Sequence, residues 1–112
     1  MQGREADTVG RYNHFKKLRN NRVWKKTGGV CAHCGKKATG LSKTIDHYIP
    51  KSWGGGFDER NLMPLCRKCN MKRMNRRVKA YDYYIYAPMW IIEMCEEYER
   101  EWYLCRRQIT QR

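Results

Sequence analysis

Acidic residues are scarce in this chain. Eleven Asp and Glu stand against 24 Lys and Arg in 112 residues, a formal charge of +13. The shortage is also uneven: residues 1–79 hold 5 acidic against 20 basic, whereas residues 80–112 hold 6 against 4. A solubilising coat mixes both signs, so residues 1–79 read as a polyanion-binding surface, with nucleic acid as the economical partner. Long apolar runs are missing too. The longest mostly apolar stretch, about 83–94, falls short of the roughly 20 residues a membrane span needs and is broken at Ala87-Pro88. No membrane partner is expected. The start, Met1-Gln2-Gly3-Arg4-Glu5-Ala6-Asp7, is polar with no apolar region behind it, which predicts a cytoplasmic protein without an export signal. Aliphatic residues are thin across 31–79, so packing alone cannot hold that segment together.

Cysteine is what replaces it. Two Cys-x-x-Cys pairs, Cys31/Cys34 and Cys66/Cys69, have the spacing that grips one tetrahedral Zn²⁺. Paired spacing of this kind in a chain without an export signal favours metal thiolates over a disulfide frame. Structural zinc contributes on the order of 10–16 kcal/mol of coupled folding in small modules. His33, between two ligand cysteines, is expected to point away from their metal as an exposed turn residue.

The length predicts a single domain, 1–112, in three parts. Residues 8–27 read as a basic N-terminal helix, capped by Asp7 or Thr8, ended by Gly28-Gly29, and packing Phe15, Leu18 and Trp24 in the core. Residues 30–79 form the zinc-stapled core: a knuckle at 30–37, a strand at 43–49, a loop at 51–60 with three glycines, a short strand at 61–65, and a helix at 70–79. Residues 80–112 hold an aromatic, irregular segment and then a helix opened by Pro88. On that helix Ile91, Cys95, Tyr98, Trp102, Cys105 and Ile109 recur at spacings of 4, 3, 4, 3 and 4, an apolar seam either for packing on the core or for a homodimer. Cys95 and Cys105 are expected to be core thiols. Monomer and dimer both stay open. The fold class is small α+β, with the two strands antiparallel and a helix closing on them.

Between Cys34 and Cys66 lie 31 residues, more than the roughly 15–20 of a plain zinc ribbon, so a folded insertion is required. It contains Asp46-His47. If the strands pair and a helix starts at Asn70, His47 and Asn70 can approach each other. The Asp46 carboxylate and the Asn70 amide oxygen are hard ligands for Mg²⁺ or a similar ion, and a neutral His47 can take a proton from water. That set suits phosphodiester hydrolysis. Adjacent strand residues point to opposite faces, so using both Asp46 and His47 calls for a twist or bulge. Backbone contacts to nucleic acid are expected from Lys16, Lys17, Arg19, Arg22, Lys25, Lys26, Arg67, Lys68, Lys72, Arg73, Arg76 and Arg77.

The string Asp46-His47-Tyr48-Ile49-Pro50, the Gly-rich loop, and Asn61-Leu62-Met63-Pro64-Leu65-Cys66-Arg67-Lys68-Cys69-Asn70 together resemble the HNH endonucleases, in the subgroup with a four-cysteine zinc site. The resemblance spans about 30–78. It implies a ββα-metal, treble-clef-like core and a metal-dependent DNA endonuclease, nicking or double-strand cutting. By position it implies His47 as general base and Asn61 as the central Asn that braces the catalytic loop. It implies Asp46 and Asn70 as ligands of a catalytic Mg²⁺ or Mn²⁺, and the four cysteines as zinc ligands. Asn70 makes this an H-N-N variant, and Arg73 stands where Lys is common. Small proteins of this type are often encoded by phage or prophage and act in DNA packaging, recombination or host-DNA attack, which implies a bacterial or phage-infected cell. The competing reading is a non-catalytic zinc module that binds DNA or RNA. A purely structural adaptor leaves the charge excess and the Asp-His insertion unexplained.

Overall fold

The structure, a computed structural model, describes the backbone of residues 2–110 and the side chains of residues 13–106. Its elements run α1 (Gln2–Lys25), β1 (Lys43–His47), β2 (Leu62–Cys66), α2 (Arg67–Arg73), α3 (Ala80–Tyr83) and α4 (Met89–Thr110), with three short 3-10 turns between them. This is the small α+β class, with one antiparallel hairpin and four α-helices among the described residues. β1 and β2 pair without interruption from Lys43↔Cys66 to His47↔Leu62. No bulge breaks the ladder, so Asp46 and His47 take opposite faces of β1.

Two features hold the hairpin's ends. At one end, Ala32 N–H donates to the Pro64 carbonyl at 2.9 Å, tying the first Cys-x-x-Cys turn to β2. Pro64 gives up no ladder bond that a two-stranded sheet must have, because the outer edge has no further strand to serve. At the other end, the long loop folds back on Asn61. The loop passes so close to Ile49 that a Cβ on Gly55 would lie 1.6 Å from the Ile49 carbonyl oxygen, so this position requires glycine.

β2 is buried over Leu62–Leu65, and the core joins it to Tyr48, Ile49, Ala80, Tyr84, Ile91, Ile92 and Cys95. The N-terminal half of α4 therefore covers the hairpin. Pro88 sits at its mouth, its carbonyl accepting from Ile91 and Ile92 N–H at 3.0 and 3.2 Å. The seam packs as a stripe that thins toward the C-terminus. Ile91 and Cys95 are buried, Tyr98 and Trp102 are partly buried, and Cys105 is exposed, not a core thiol. Ile109 lies outside the described side chains.

Several boundaries differ from expectation. α1 begins at Gln2, so Asp7 and Thr8 fall inside the helix and not at its N-terminus. Only its last turns reach the core, with Val23 and Trp24 buried. Phe15 is 66% exposed and Leu18 is exposed, because that part of the helix extends past the hairpin. α2 begins at Arg67, three residues before Asn70, with the extended Cys66 at its N-cap, and stops at Arg73 where Met74 takes a φ of 57°. Residues 74–79 are not helical. The segment expected to be irregular contains the single turn α3.

Candidate active site

The four cysteines converge. Their Sγ atoms all lie within 4.8 Å of one another, and Cys34 and Cys66 are 4.0 Å apart. A tetrahedral zinc with arms of about 2.3 Å needs S···S edges of about 3.8 Å, so this donor set fits that ion. Local geometry explains the convergence. Cys31 N–H donates to the Lys36 carbonyl and Gly35 N–H to the Cys31 carbonyl, both at 2.9 Å, which curls the first turn. Cys66 and Cys69 occupy the N-cap and first turn of α2. His33 is not in the cluster. It is half-buried, not exposed: its ring stacks on Tyr83 at 4.1 Å, and Nδ1 lies 2.8 Å from the Tyr83 carbonyl. Among the described residues no second group of three His, Cys, Asp or Glu side chains converges this way.

Asp46 faces α2 and α3. Its Oδ2 accepts from the Arg73 guanidinium and from the Tyr84 hydroxyl. Burial pushes the carboxyl's pKa upward, while Arg73 and Tyr84 pull it back. Arg73 is wholly buried, and it also donates to the carbonyls of His47 at 3.0 Å and Tyr48 at 2.6 Å. The expectation that Arg73 meets phosphate from the surface is therefore corrected. A guanidinium has five donors in a rigid fork, and here they stitch α2 to the end of β1. Asn70, one helical turn earlier, reaches the same side of β1. Its amide nitrogen donates to Thr44 Oγ1 at 2.9 Å and to the Ile45 carbonyl at 3.4 Å. Asp46 and Asn70 thus share one side of the strand, each with an oxygen outside these bonds.

His47 lies on the other side. Its ring meets the edge of Phe57, with centroids 4.9 Å apart, and its Nε2 is buried with no hydrogen-bond partner. Burial, then the positive charges of Lys51, Arg19 and Arg73, lower its pKa to about 4, so the imidazole is neutral near pH 7. Phe57 gathers two of those cations. Lys51 Nζ lies 4.6 Å, and Arg19 Cζ 5.1 Å, from its ring centroid. His47 therefore opens on a cavity of about 560 Å³ whose walls include Lys16, Arg19, Lys43, Lys51 and Phe57. Sequence reading missed Lys43, Lys51 and Phe57. Lys51 and Phe57 flank the glycine loop just after His47, and a cation and an aromatic so placed were the available signal.

Asn61 positions this loop. It is fully buried; its Oδ1 accepts from Ile49 N–H at 2.7 Å, and its Nδ2 donates to the carbonyls of Ile49 and Gly56 at 3.2 and 3.0 Å. Replacing it with alanine strands buried backbone groups. Asn61→Ala is expected to cost about 2–4 kcal/mol, read as a lowered urea midpoint at unchanged slope. A midpoint within error of wild type contradicts this bracing role.

The remaining basic residues divide. Lys16, Lys17, Lys25, Arg67, Lys68 and Lys72 are exposed. Lys26 is half-buried and donates to the carbonyls of Glu59 and Leu62, so its expected phosphate contact is also corrected: the ammonium closes the α1 end onto β2. Arg22 pairs with Glu59 and Arg77 with Glu99, while Arg76 bonds the carbonyls of Lys72 and Arg73. No described helix is long and apolar enough to cross a membrane.

Comparison with known proteins adds two findings. The family model described as HNH endonuclease matches residues 31–76. The crystal structure of the Type II-C Cas9 enzyme from Actinomyces naeslundii is similar at a TM-score of 0.50 and 18% identity, which is a likeness of fold. It covers 71% of this chain, and the chain corresponds to 11% of that one. No curated protein matches the chain.

Proposed function

Because residues 31–76 match the HNH endonuclease family model, we propose that the chain is a nuclease that hydrolyses phosphodiester bonds in DNA, with His47 as general base. The observation that carries this reading is a neutral imidazole with a partnerless Nε2, in a residue that lines a cavity ringed by lysine and arginine. A phosphate strand suits that ring, and the neutral ring nitrogen can hold a water and accept its proton. Phe57 fixes the imidazole edge-on, and Asn61 holds the loop that carries both Phe57 and Lys51. The four cysteines hold structural zinc.

The remaining role is that of a divalent cation such as Mg²⁺ or Mn²⁺. Oxygen donors from Asp46 and Asn70 suit a hard cation, which would supply charge stabilisation to a phosphate, although both lie on the face of β1 opposite His47. The test is supercoiled plasmid with Mg²⁺ or Mn²⁺, which the zinc-loaded protein should convert to nicked or linear form. Binding without cleavage under any divalent ion returns the chain to the alternative, a zinc module that only holds nucleic acid.

Affinity should depend strongly on salt. Lys51→Ala is expected to weaken binding about equally across sequences and to lower the slope of log K against log salt by roughly 1. An unchanged slope removes Lys51 from the phosphate path.

A further inference from the structure

A second cavity, of about 740 Å³, takes its lining from the same loop as the His47 cavity. The 3-10 turn Lys51–Trp53 separates them: Lys51 lines the first and Trp53 the second. At about 2 Å of rise per residue, the two linings are a few ångströms apart along that turn. α4 supplies the opposite wall through Glu99, Arg100, Trp102, Tyr103 and Arg106, and Arg77 enters from the segment after α2.

Three properties give this groove a ligand class. Its exposed rings are Trp53, 46% exposed, and Tyr103, 59% exposed. Trp53 is held rather than loose, since its indole N–H donates to the Asn75 carbonyl at 3.1 Å and Arg106 donates to its own carbonyl. The floor is cationic: Arg77 lies 4.9 Å and Arg106 4.8 Å from the Trp102 centroid, and Arg77 lies 5.8 Å from that of Trp53. Three arginines line the groove against one glutamate, Glu99, which pairs with Arg77, so the lining keeps a net positive charge. Preorganised aromatic faces above fixed guanidinium groups are the arrangement that stacks unpaired bases and neutralises their phosphates. A base stacked between neighbours inside a duplex offers no free face.

We propose that the Trp53–Tyr103 groove binds unpaired nucleobases of a DNA strand that continues out of the His47 cavity. It selects DNA with single-stranded character beside the scissile phosphate, such as a tail, flap or gap. The proposal rests on the reading that the His47 cavity takes a phosphate strand. It does not require that the strand be cut.

The test is fluorescence anisotropy with the zinc-loaded full chain, without added Mg²⁺ or Mn²⁺. A labelled blunt duplex is compared with the same duplex carrying a short oligothymidine tail. Wild type is expected to bind the tailed duplex about 5- to 100-fold more tightly. Trp53→Ala should abolish that advantage and leave blunt-duplex affinity unchanged, and Trp53→Phe should restore most of it. Tyr103→Ala, at an exposed helix position, should reduce the advantage independently. Equal wild-type affinities for the two duplexes overturn the proposal, as does a Trp53→Ala protein weakened equally toward both. A wild-type dimer in light scattering that Trp53→Ala dissolves also overturns it, because a second copy then fills the groove. The readout is binding, so failure to cut plasmid sinks the nuclease reading while leaving this result to stand or fall alone.

Discussion

Stripping the metal from the four cysteines is expected to unfold the protein. The metal-free chain should lose its cooperative thermal transition, and added Zn²⁺ should restore it. Structural zinc in small modules contributes about 10–16 kcal/mol, comparable to or larger than the roughly 5–15 kcal/mol of net stability of a whole domain. The fold explains why nothing else compensates. Its sheet is a single hairpin, which is marginal alone in water. Cys66 stands at the junction of β2 and α2, and Cys31 precedes Ala32, whose backbone ties to both Pro64 and Tyr86. Without the ion, four close thiols lose what draws these segments together. Cys66→Ser should reproduce the loss, with circular dichroism as the readout. A metal-free chain that still melts cooperatively near the wild-type temperature removes the staple from the account.

His47→Ala is expected to lower the rate of plasmid cleavage by about 10²–10⁴-fold. That corresponds to about 3–5 kcal/mol of barrier. The variant should keep its bound zinc and its DNA affinity. The sulfur cluster does not include His47, and its Nε2 makes no hydrogen bond whose loss would unravel the hairpin. What it contributes is one neutral nitrogen beside a cationic cavity. Losing packing against Phe57 trims stability modestly, so binding and melting measurements on the same sample separate a missing base from a misfolded loop. If the variant nicks plasmid at the wild-type rate, some other group accepts the proton.

Features set by short stretches of chain were legible in the sequence. Each Cys-x-x-Cys turn closes within a few residues, so its spacing alone announced a metal knuckle. The long insert between the knuckles announced a hairpin, and Pro88 with the 4-3 rhythm announced α4. Asp46-His47 and Asn61 could be singled out because the motif is contiguous. Boundaries decided by distant partners were not legible. α2 starts three residues early because Cys66 serves as ligand candidate and N-cap at once. It stops at Arg73, whose side chain turns inward.

By itself, then, the sequence determined the sulfur-bound staple, the hairpin and closing helix, and the segregation of positive charge into residues 1–79. These follow from local spacing and composition, which survive any arrangement of the rest. Only the tertiary structure decided which charges are spent and which are offered. Arg73 and Lys26 turned inward because buried carbonyls and a carboxylate needed donors. Phe15 and Leu18 stayed outside because α1 outruns the hairpin. Phe57, Lys51 and Arg19 became one cluster around His47, and Arg77 met both Trp53 and Trp102. Each of those outcomes depends on residues far apart in the chain meeting in space, which no periodicity along the sequence encodes.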